Sequence, residues 1–310
     1  HIFGIGQRRI MKFADFISSP EINRLGIWIG EVAPPKFGYW VAKQISSVIS
    51  RQKNSDQVRA VRANQWVLSG KTLSASDLDL AVKKVYRASS ICLFDYYHYM
   101  RSQEAIKKMV IFDDNFMEFM EYSKSKKGGC LGLIFHMGGF DLAGYAIAIS
   151  GMRPQILSYP QPNQGYQYHN ELRKREGLNV TPLSMETLQQ ATRFLRNNGT
   201  VITGIDRPWK ESRQHPMFFG EKSDIPVTTI QLAIRTNVPV VAISVIRQND
   251  GSYILHASKF ITMDSHNDRD EELTRNTEKV LLAGESFISQ FPEQWSMYYP
   301  VWPQYLDKTP

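Results

Sequence analysis

A histidine and an aspartate, His136 and Asp141, stand five positions apart at the end of an apolar run, where their types and spacing suit proton-transfer chemistry. Residues 130–135 are nearly all apolar, which predicts a strand buried on both faces, and 142–149 predict a packed helix. Gly138 and Gly139 mark the turn between the two elements. An imidazole held by a carboxylate at such a corner can act as a general base, and the positive helix end would keep Asp141 ionised.

The spacing alone is weak evidence for a site. With 7 His and 30 acidic residues in 310, composition predicts about 0.7 chance matches to His-x4-Asp/Glu. A second match does occur at His266 and Glu271, in a polar stretch with no strand before it, which predicts a solvated loop and a helix start. The alternative for His136 itself is a structural histidine that caps a strand end.

Composition indicates a globular protein with material for a substantial core, since 42% of the residues are hydrophobic and 12% aromatic. The two cysteines, Cys92 and Cys130, form no CxxC pair, which favours a reducing compartment. The net charge of +7 is compatible with anionic lipid, nucleic acid or a solvated surface. No apolar run reaches the length of a membrane span, and a chain that starts at His1 says nothing about a preceding anchor.

Two regions differ in their patterning. Residues 1–127 are predicted to be a helical region that packs on the core, and 128–310 an α/β core integrated with it. In the second region short apolar strands alternate with helices, which predicts a mixed, mostly parallel central sheet flanked by helices. The last two strands meet at Asn249-Asp250-Gly251, a hairpin signal. The apolar spacing over 37–49 predicts an amphipathic helix that either packs on the sheet or faces a membrane.

Several other sequence patterns are incomplete matches to known functional motifs. The segment 69–72 resembles the end of a phosphate loop but lacks its first glycine, 284–288 lacks the closing glycine of a nucleophile elbow, and the remaining histidines have no metal-ligand spacing. Arg173, Asp206 and Arg207 lie near predicted strand ends, where open α/β sheets bind ligands. For Arg173 the alternative is a helix C-terminus favoured by cations.

With these residues in hand, the chain resembles the bacterial lysophospholipid acyltransferase superfamily, in the branch of late lipid A acyltransferases and the phosphatidylinositol mannoside acyltransferase. The resemblance covers about residues 25–300 and its motifs occur in family order. They are the strand followed by His136-x4-Asp141, Arg173 before Gly177, Asp206-Arg207 followed by Phe218-Phe219-Gly220, the strand start Thr236-Asn237-Val238-Pro239-Val240-Val241, and Pro292-Glu293-Gln294-Trp295. The chain departs from the family at Gly138-Gly139-Phe140, where Gly-Asn-Trp or Gly-Asn-Tyr is usual.

The resemblance implies a glycerolipid-acyltransferase-like fold and transfer of a fatty acyl chain from acyl-coenzyme A or acyl carrier protein to a hydroxyl of a lipid or glycolipid. We expect His136 to be the general base and Asp141 to orient it, with backbone N–H groups near Gly138 and Gly139 facing the oxyanion. Neither a metal nor a cofactor is expected.

We further expect Arg173 and Arg207 to contact phosphate, with Asp206, Phe219 and Gly220 also at the substrate. The expected partner surface is an anionic membrane, with the protein peripheral on the cytoplasmic face, and no nucleic acid. The rival hypothesis is a non-catalytic lipid-binding module of the same fold.

Overall fold

The computed structural model describes residues 27–158, 170–171, 173–174, 178–209 and 212–310. Within these residues a helical stretch at 27–32 and four further helices precede most of the sheet: α1 (Pro35–Ile49), α2 (Asp56–Leu68), α3 (Ala75–Tyr99) and α4 (Gln103–Met109). Local sequence sets where the later two begin, because the Ser74 and Ser102 side chains accept N–H groups of the first turns of α3 and α4.

A seven-stranded sheet follows. Its strands are β1 (Val110–Phe112), β2 (Cys130–Ile134), β3 (Gln155–Ser158), β4 (Asn179–Pro182), β5 (Thr200–Gly204), β8 (Val240–Arg247) and β9 (Tyr253–Ala257). They lie in the order β1-β9-β8-β2-β5-β3-β4, and all neighbours are parallel except β8 and β9. A small hairpin, β6 (Met217–Phe218) and β7 (Glu221–Lys222), is separate.

Helices cover both faces of the sheet and bury two main apolar clusters. They are α5 (Asp114–Ser125), α6 (Phe140–Ile149), α7 (Met185–Arg196), α8 (Ile230–Thr236) and α9 (Arg269–Gln290). The arrangement explains the apolar run of β2, which has helices on both sides and neighbours on both edges, so that Cys130, Leu131 and Leu133 are fully buried.

The architecture confirms the predicted mixed, mostly parallel α/β fold and the β8–β9 hairpin. The second His-x4-Glu match lies where the sequence predicts, since Asp268 caps the start of α9. β1, β6 and β7 were not predicted, because two or three residues give no readable alternation. The helix predicted over 164–175 lies mostly outside the described residues. The division at residue 127 stays a prediction, although β1 from the first part pairs with β9.

The orientation of α1 differs from one of the two expectations. It packs on α3 rather than on the sheet, and its small residues Gly38, Ala42 and Ser46 face inward. A Cβ at Gly38 would overlap the ring of Phe94, so glycine permits the close approach of the helices. Six large residues of α1 and of the helical stretch before it are exposed: Trp28, Val32, Phe37, Trp40, Ile45 and Val48. We call this set the apolar face.

Across the described parts of the chain, no helix combines the length and the apolar character needed to cross a bilayer.

The contact between α9 and the end of β2 yields a stability prediction. A Cβ at Gly284 would overlap the fully buried ring of Phe135, so Gly284→Ala should destabilise the fold by about 1–3 kcal/mol through overpacking. At Gly144 in α6 an added Cβ meets only Leu178 Cδ1, at 3.4 Å, and Gly144→Ala should gain about 0.5–1 kcal/mol of helix propensity. Urea unfolding of both variants checks this; equal stabilities would contradict it.

Candidate active site

Strand register places His136 and Asp206 in the same row at one edge of the sheet. β2 and β5 are parallel neighbours, and Ile134 is the partner of Gly204. His136 and Asp206 each follow two residues later, so their side chains emerge from adjacent chain ends about 5 Å apart. The result is a hydrogen bond of 2.6 Å between His136 Nδ1 and Asp206 Oδ1.

The Asp206 carboxylate is fully buried and is surrounded by donors. Its Oδ2 accepts the backbone N–H of His136 at 2.8 Å and the indole N–H of Trp295 at 2.7 Å. Because an ionised carboxylate only accepts hydrogen bonds, the Nδ1 facing Oδ1 carries the proton of the neutral ring. The imidazole, whose side chain is 26% exposed, then has its Nε2 lone pair free to accept a proton.

This geometry corrects the expectation that Asp141 orients the imidazole. Asp141 stands in the first turn of α6, where its carboxylate pairs with Arg173, and Arg173 also donates to Asn170 at 2.7 Å. Asp206, expected from the family pattern only as a substrate contact, holds the ring instead. Whether Asp141 or Asp206 takes part in catalysis stays a prediction.

The C-terminal segment 292–296 fixes the loop that carries His136. Ser296 donates its N–H to the His136 carbonyl at 2.8 Å, and Gly138 donates its N–H to the Gln294 carbonyl at 2.9 Å. The Gln294 side chain bridges to the backbone N–H and C=O of Arg247, both at 2.8 Å. The Gly138 N–H is thus already bonded within the protein, so it is not a donor for a substrate oxyanion.

Glycines allow the close packing of this corner. Gly138 adopts a φ of +50°, and a Cβ there would overlap the Val245 carbonyl. A Cβ at Gly139 would lie 2.5 Å from the ring of Tyr253, and one at Gly204 would lie 2.9 Å from His136 Cε1. The imidazole therefore packs directly against the backbone of Gly204, where a side chain would displace it. The position of Gly204 at the end of a predicted strand could have suggested this role.

Behind the loop lies a second buried carboxylate, that of Asp95 on α3. It accepts hydrogen bonds from the Tyr39 hydroxyl at 2.8 Å, Arg247 Nε at 2.8 Å and the Tyr253 hydroxyl at 2.6 Å. These partners come from α1, β8 and β9, so the cluster ties the helical region to the sheet. Sequence patterning did not reveal it, because Asp95 lies within an apolar helix face.

A cavity of about 440 Å³ opens beside this corner, between α1 and α3. Its wall includes Gly138, Gly139, Phe140 and Asp141 and otherwise consists mainly of apolar side chains. His136 does not line it, but the Phe140 ring that does lies edge-on to the imidazole, with ring centroids 5.3 Å apart. The Phe140 ring thus lies between the cavity and the imidazole of His136.

Ionisable groups in the cavity wall are held neutral or paired. Burial raises the pKa of the Cys92 thiol to about 12, so this cysteine is not a thiolate nucleophile at neutral pH. Burial also raises the pKa of Tyr96, and the nearby Asp141 carboxylate raises it further. Asp141 is paired with Arg173.

The other predicted site residues lie elsewhere. Arg207 stacks on the Tyr299 ring, 4.1 Å from its centroid, and donates to the Tyr299 hydroxyl at 2.6 Å. Phe219 and Gly220 form the β6–β7 turn with φ of +51° and +72°, and neither lines the cavity. Their substrate contacts stay predictions. No three His, Cys, Asp or Glu residues in the described ranges are grouped so as to hold a metal ion.

The chain matches a known protein family over most of its length. Residues 26–304 match the bacterial lipid A biosynthesis acyltransferase family. No individual curated protein gives a significant match.

The indole bond to Asp206 yields a prediction with a matched control. Trp295→Phe removes a donor from a buried carboxylate, so it should cost about 1–3 kcal/mol more unfolding free energy than Trp302→Phe. Trp302 lies in the same aromatic cluster, 6.0 Å from Trp295, and its buried Nε1 has no hydrogen-bond partner. Urea unfolding measures both; an equal loss would show that the indole bond contributes nothing.

Proposed function

Because the chain belongs to the bacterial lipid A biosynthesis acyltransferase family, which transfers acyl chains to lipid acceptors, we propose that His136 is its general base. The donor is a fatty acyl thioester, carried by coenzyme A or acyl carrier protein, and the acceptor is a hydroxyl of a lipid or glycolipid. The observation that carries this proposal is the hydrogen bond from His136 Nδ1 to the buried Asp206 carboxylate.

The proposed reaction is direct transfer. The acceptor hydroxyl loses its proton to His136 Nε2 as its oxygen attacks the thioester carbonyl. The tetrahedral oxyanion collapses, the C–S bond breaks, and the imidazolium returns the proton to the departing thiolate. Asp206 stabilises the imidazolium between these steps, as a carboxylate does when it holds the far nitrogen of a catalytic histidine. No enzyme nucleophile takes part.

Oxyanion stabilisation falls in this proposal to Gly139 and the first N–H groups of α6. The opening N–H groups of a helix have no partner within it, and the helix dipole adds positive potential there. Gly138 is excluded because its N–H is donated to Gln294. The largely apolar cavity between α1 and α3 supplies the slot for the acyl chain.

The decisive test is His136→Ala in an acyl-transfer assay with a labelled acyl thioester and detergent-dispersed lipid acceptors. Loss of a general base should lower turnover about 10²- to 10⁴-fold while urea unfolding stays close to that of the unaltered protein. Retention of more than about a tenth of turnover contradicts the assigned role. If the unaltered protein binds lipid but consumes no thioester, the non-catalytic alternative is favoured.

The same assay separates the two carboxylates. Asp206→Asn should lower kcat with little change in KM, because Asp206 acts on the base, whereas Asp141→Asn should act mainly on KM through the cavity wall. If Asp141→Asn instead lowers kcat and Asp206→Asn acts mainly on KM, Asp141 is the residue that orients the imidazole.

We also propose that the apolar face seats the protein on an anionic membrane surface. Trp28 and Trp40 are 59% and 56% exposed, and stacked Phe37 and Trp40 have ring centroids 5.8 Å apart. Interfacial helices use such aromatic and aliphatic faces flanked by cations, here Lys36 and Lys43 on α1. The net charge of +7 favours anionic lipid.

Vesicle flotation tests this surface. Replacing Phe37 and Trp40 together by Ser should reduce binding to vesicles of mixed zwitterionic and anionic phospholipids by roughly tenfold or more, because two large anchors are lost. Leu282→Ser removes a residue of α9 that is just as exposed and should leave binding unchanged. Equal loss in both variants, or no loss in the double variant, overturns the assignment.

A further inference from the structure

A short antiparallel bridge holds the backbone on the C-terminal side of the His136 ring. The Gly138 N–H donates to the Gln294 carbonyl at 2.9 Å, and the Ser296 N–H donates to the His136 carbonyl at 2.8 Å. Two such bonds do not fix a position by themselves, because even a complete two-stranded hairpin is only marginally stable in water. The loop can therefore be no better placed than the segment 294–296 that it is bonded to.

The side chain of Gln294 fixes that segment to the sheet. Its Oε1 accepts the N–H of Arg247 and its Nε2 donates to the C=O of the same residue, both at 2.8 Å. A carboxamide that accepts from and donates to one residue imitates a paired residue of a neighbouring antiparallel strand. Because Gln294 is buried, water does not compete for these two bonds. The carboxamide thus ties the bridge to the end of β8.

The end of β8 is a firm point of attachment. Arg247 Nε donates at 2.8 Å to the fully buried carboxylate of Asp95, which also accepts the Tyr253 hydroxyl at 2.6 Å. Moving the guanidinium away would leave a buried charge without its partner, which is strongly unfavourable. A group bonded to the Arg247 backbone is consequently fixed relative to both the sheet and α3.

The same carboxamide also lies against the His136 loop. A Cβ at Gly138 would lie 3.2 Å from Gln294 Oε1 and 2.3 Å from the Val245 carbonyl. The Gly138 backbone is thus confined between β8 and the Gln294 side chain, two positions after the imidazole. Because a misplacement of about 1 Å in a catalytic group can lower a rate about a hundredfold, a side chain that sets the position of this loop acts on the chemistry without touching substrate.

We propose that Gln294 is a positioning residue for His136. Its carboxamide transfers the fixed position of β8 to the loop and so keeps His136 Nδ1 aligned with Asp206 Oδ1, which lies 2.6 Å away. The effect on turnover rests on the proposed function, in which His136 is the base. The effect on the alignment of the two side chains does not, because their hydrogen bond exists whether or not His136 transfers a proton.

The substitution Gln294→Met tests this role, with Gln65→Met as a matched control. Methionine fills about the same space as glutamine but donates no hydrogen bond. Gln65 of α2 is buried as well and donates its Nε2 to the Pro292 carbonyl at 2.9 Å, so it holds the same segment two residues earlier. Gln294→Met should lower kcat about tenfold with KM within about twofold, whereas Gln65→Met should leave both within about twofold.

Nuclear magnetic resonance of uniformly ¹⁵N-labelled protein gives a readout that needs no turnover. The Nδ1 proton of His136, assigned by its absence from His136→Ala, is protected from solvent exchange by its bond to a buried carboxylate. Its exchange should be about tenfold faster in Gln294→Met and unchanged in Gln65→Met, while the amides of β2 stay protected in both. If Gln294→Met does not fold, Gln294→Glu replaces it. This variant still accepts the Arg247 N–H, loses only the donor to the Arg247 carbonyl, and should also exchange faster.

A fall in kcat and in Nδ1 protection that is confined to the Gln294 variant supports the positioning role. Equal changes in Gln65→Met make the carboxamide merely one structural contact among several and overturn the proposal. A Gln294 variant that keeps the protection and the kcat of the unaltered protein overturns it too. If no form of the protein consumes thioester but the Nδ1 proton still exchanges faster in the Gln294 variant alone, the positioning role stands and the proposed reaction is wrong.

Discussion

Desolvation of the Asp206 carboxylate governs the corner where β2 and β5 end. A buried ionised group costs several kcal/mol, on the order of the whole stability of a domain, unless donors surround it. Here the donors are the backbone and ring of His136 and the indole of Trp295. The same hydrogen bonds therefore stabilise the Asp206 charge, fix the indole of Trp295 and orient the His136 ring. The segment 292–296 is as necessary for this geometry as β2 and β5.

Sequence reasoning identified His136 because an apolar strand, a glycine turn and a polar pair form a local pattern. It chose the wrong partner for the ring, because spacing along the chain favours Asp141 whereas the hydrogen bond joins residues 70 positions apart. That bond follows from the register Ile134–Gly204, which pairs two strands that no local pattern connects. Trp295 was visible only as a motif, without its bond to Asp206.

The fold was easier to predict from the sequence than the geometry of the site. Alternating strands and helices predict a parallel sheet whatever the exact pairings, and Asn249-Asp250-Gly251 marks the antiparallel hairpin. The orientation of α1 was harder to predict from the sequence. Helical periodicity groups Phe37, Trp40 and Ile45 on one face but does not say what covers that face. The structure buries Gly38 and Ala42 against α3 because only small residues allow that approach.

The α1 wall of the cavity and the surroundings of the His136 ring are held in place by different contacts. α1 reaches the sheet through α3 and the Asp95 cluster, and it contributes none of the groups that surround the His136 ring. Substitutions at Ala42 or Val41 would change the shape of the cavity without contacting the hydrogen-bonded pair His136 and Asp206. The shape of the cavity and the geometry of that pair can therefore change independently of each other.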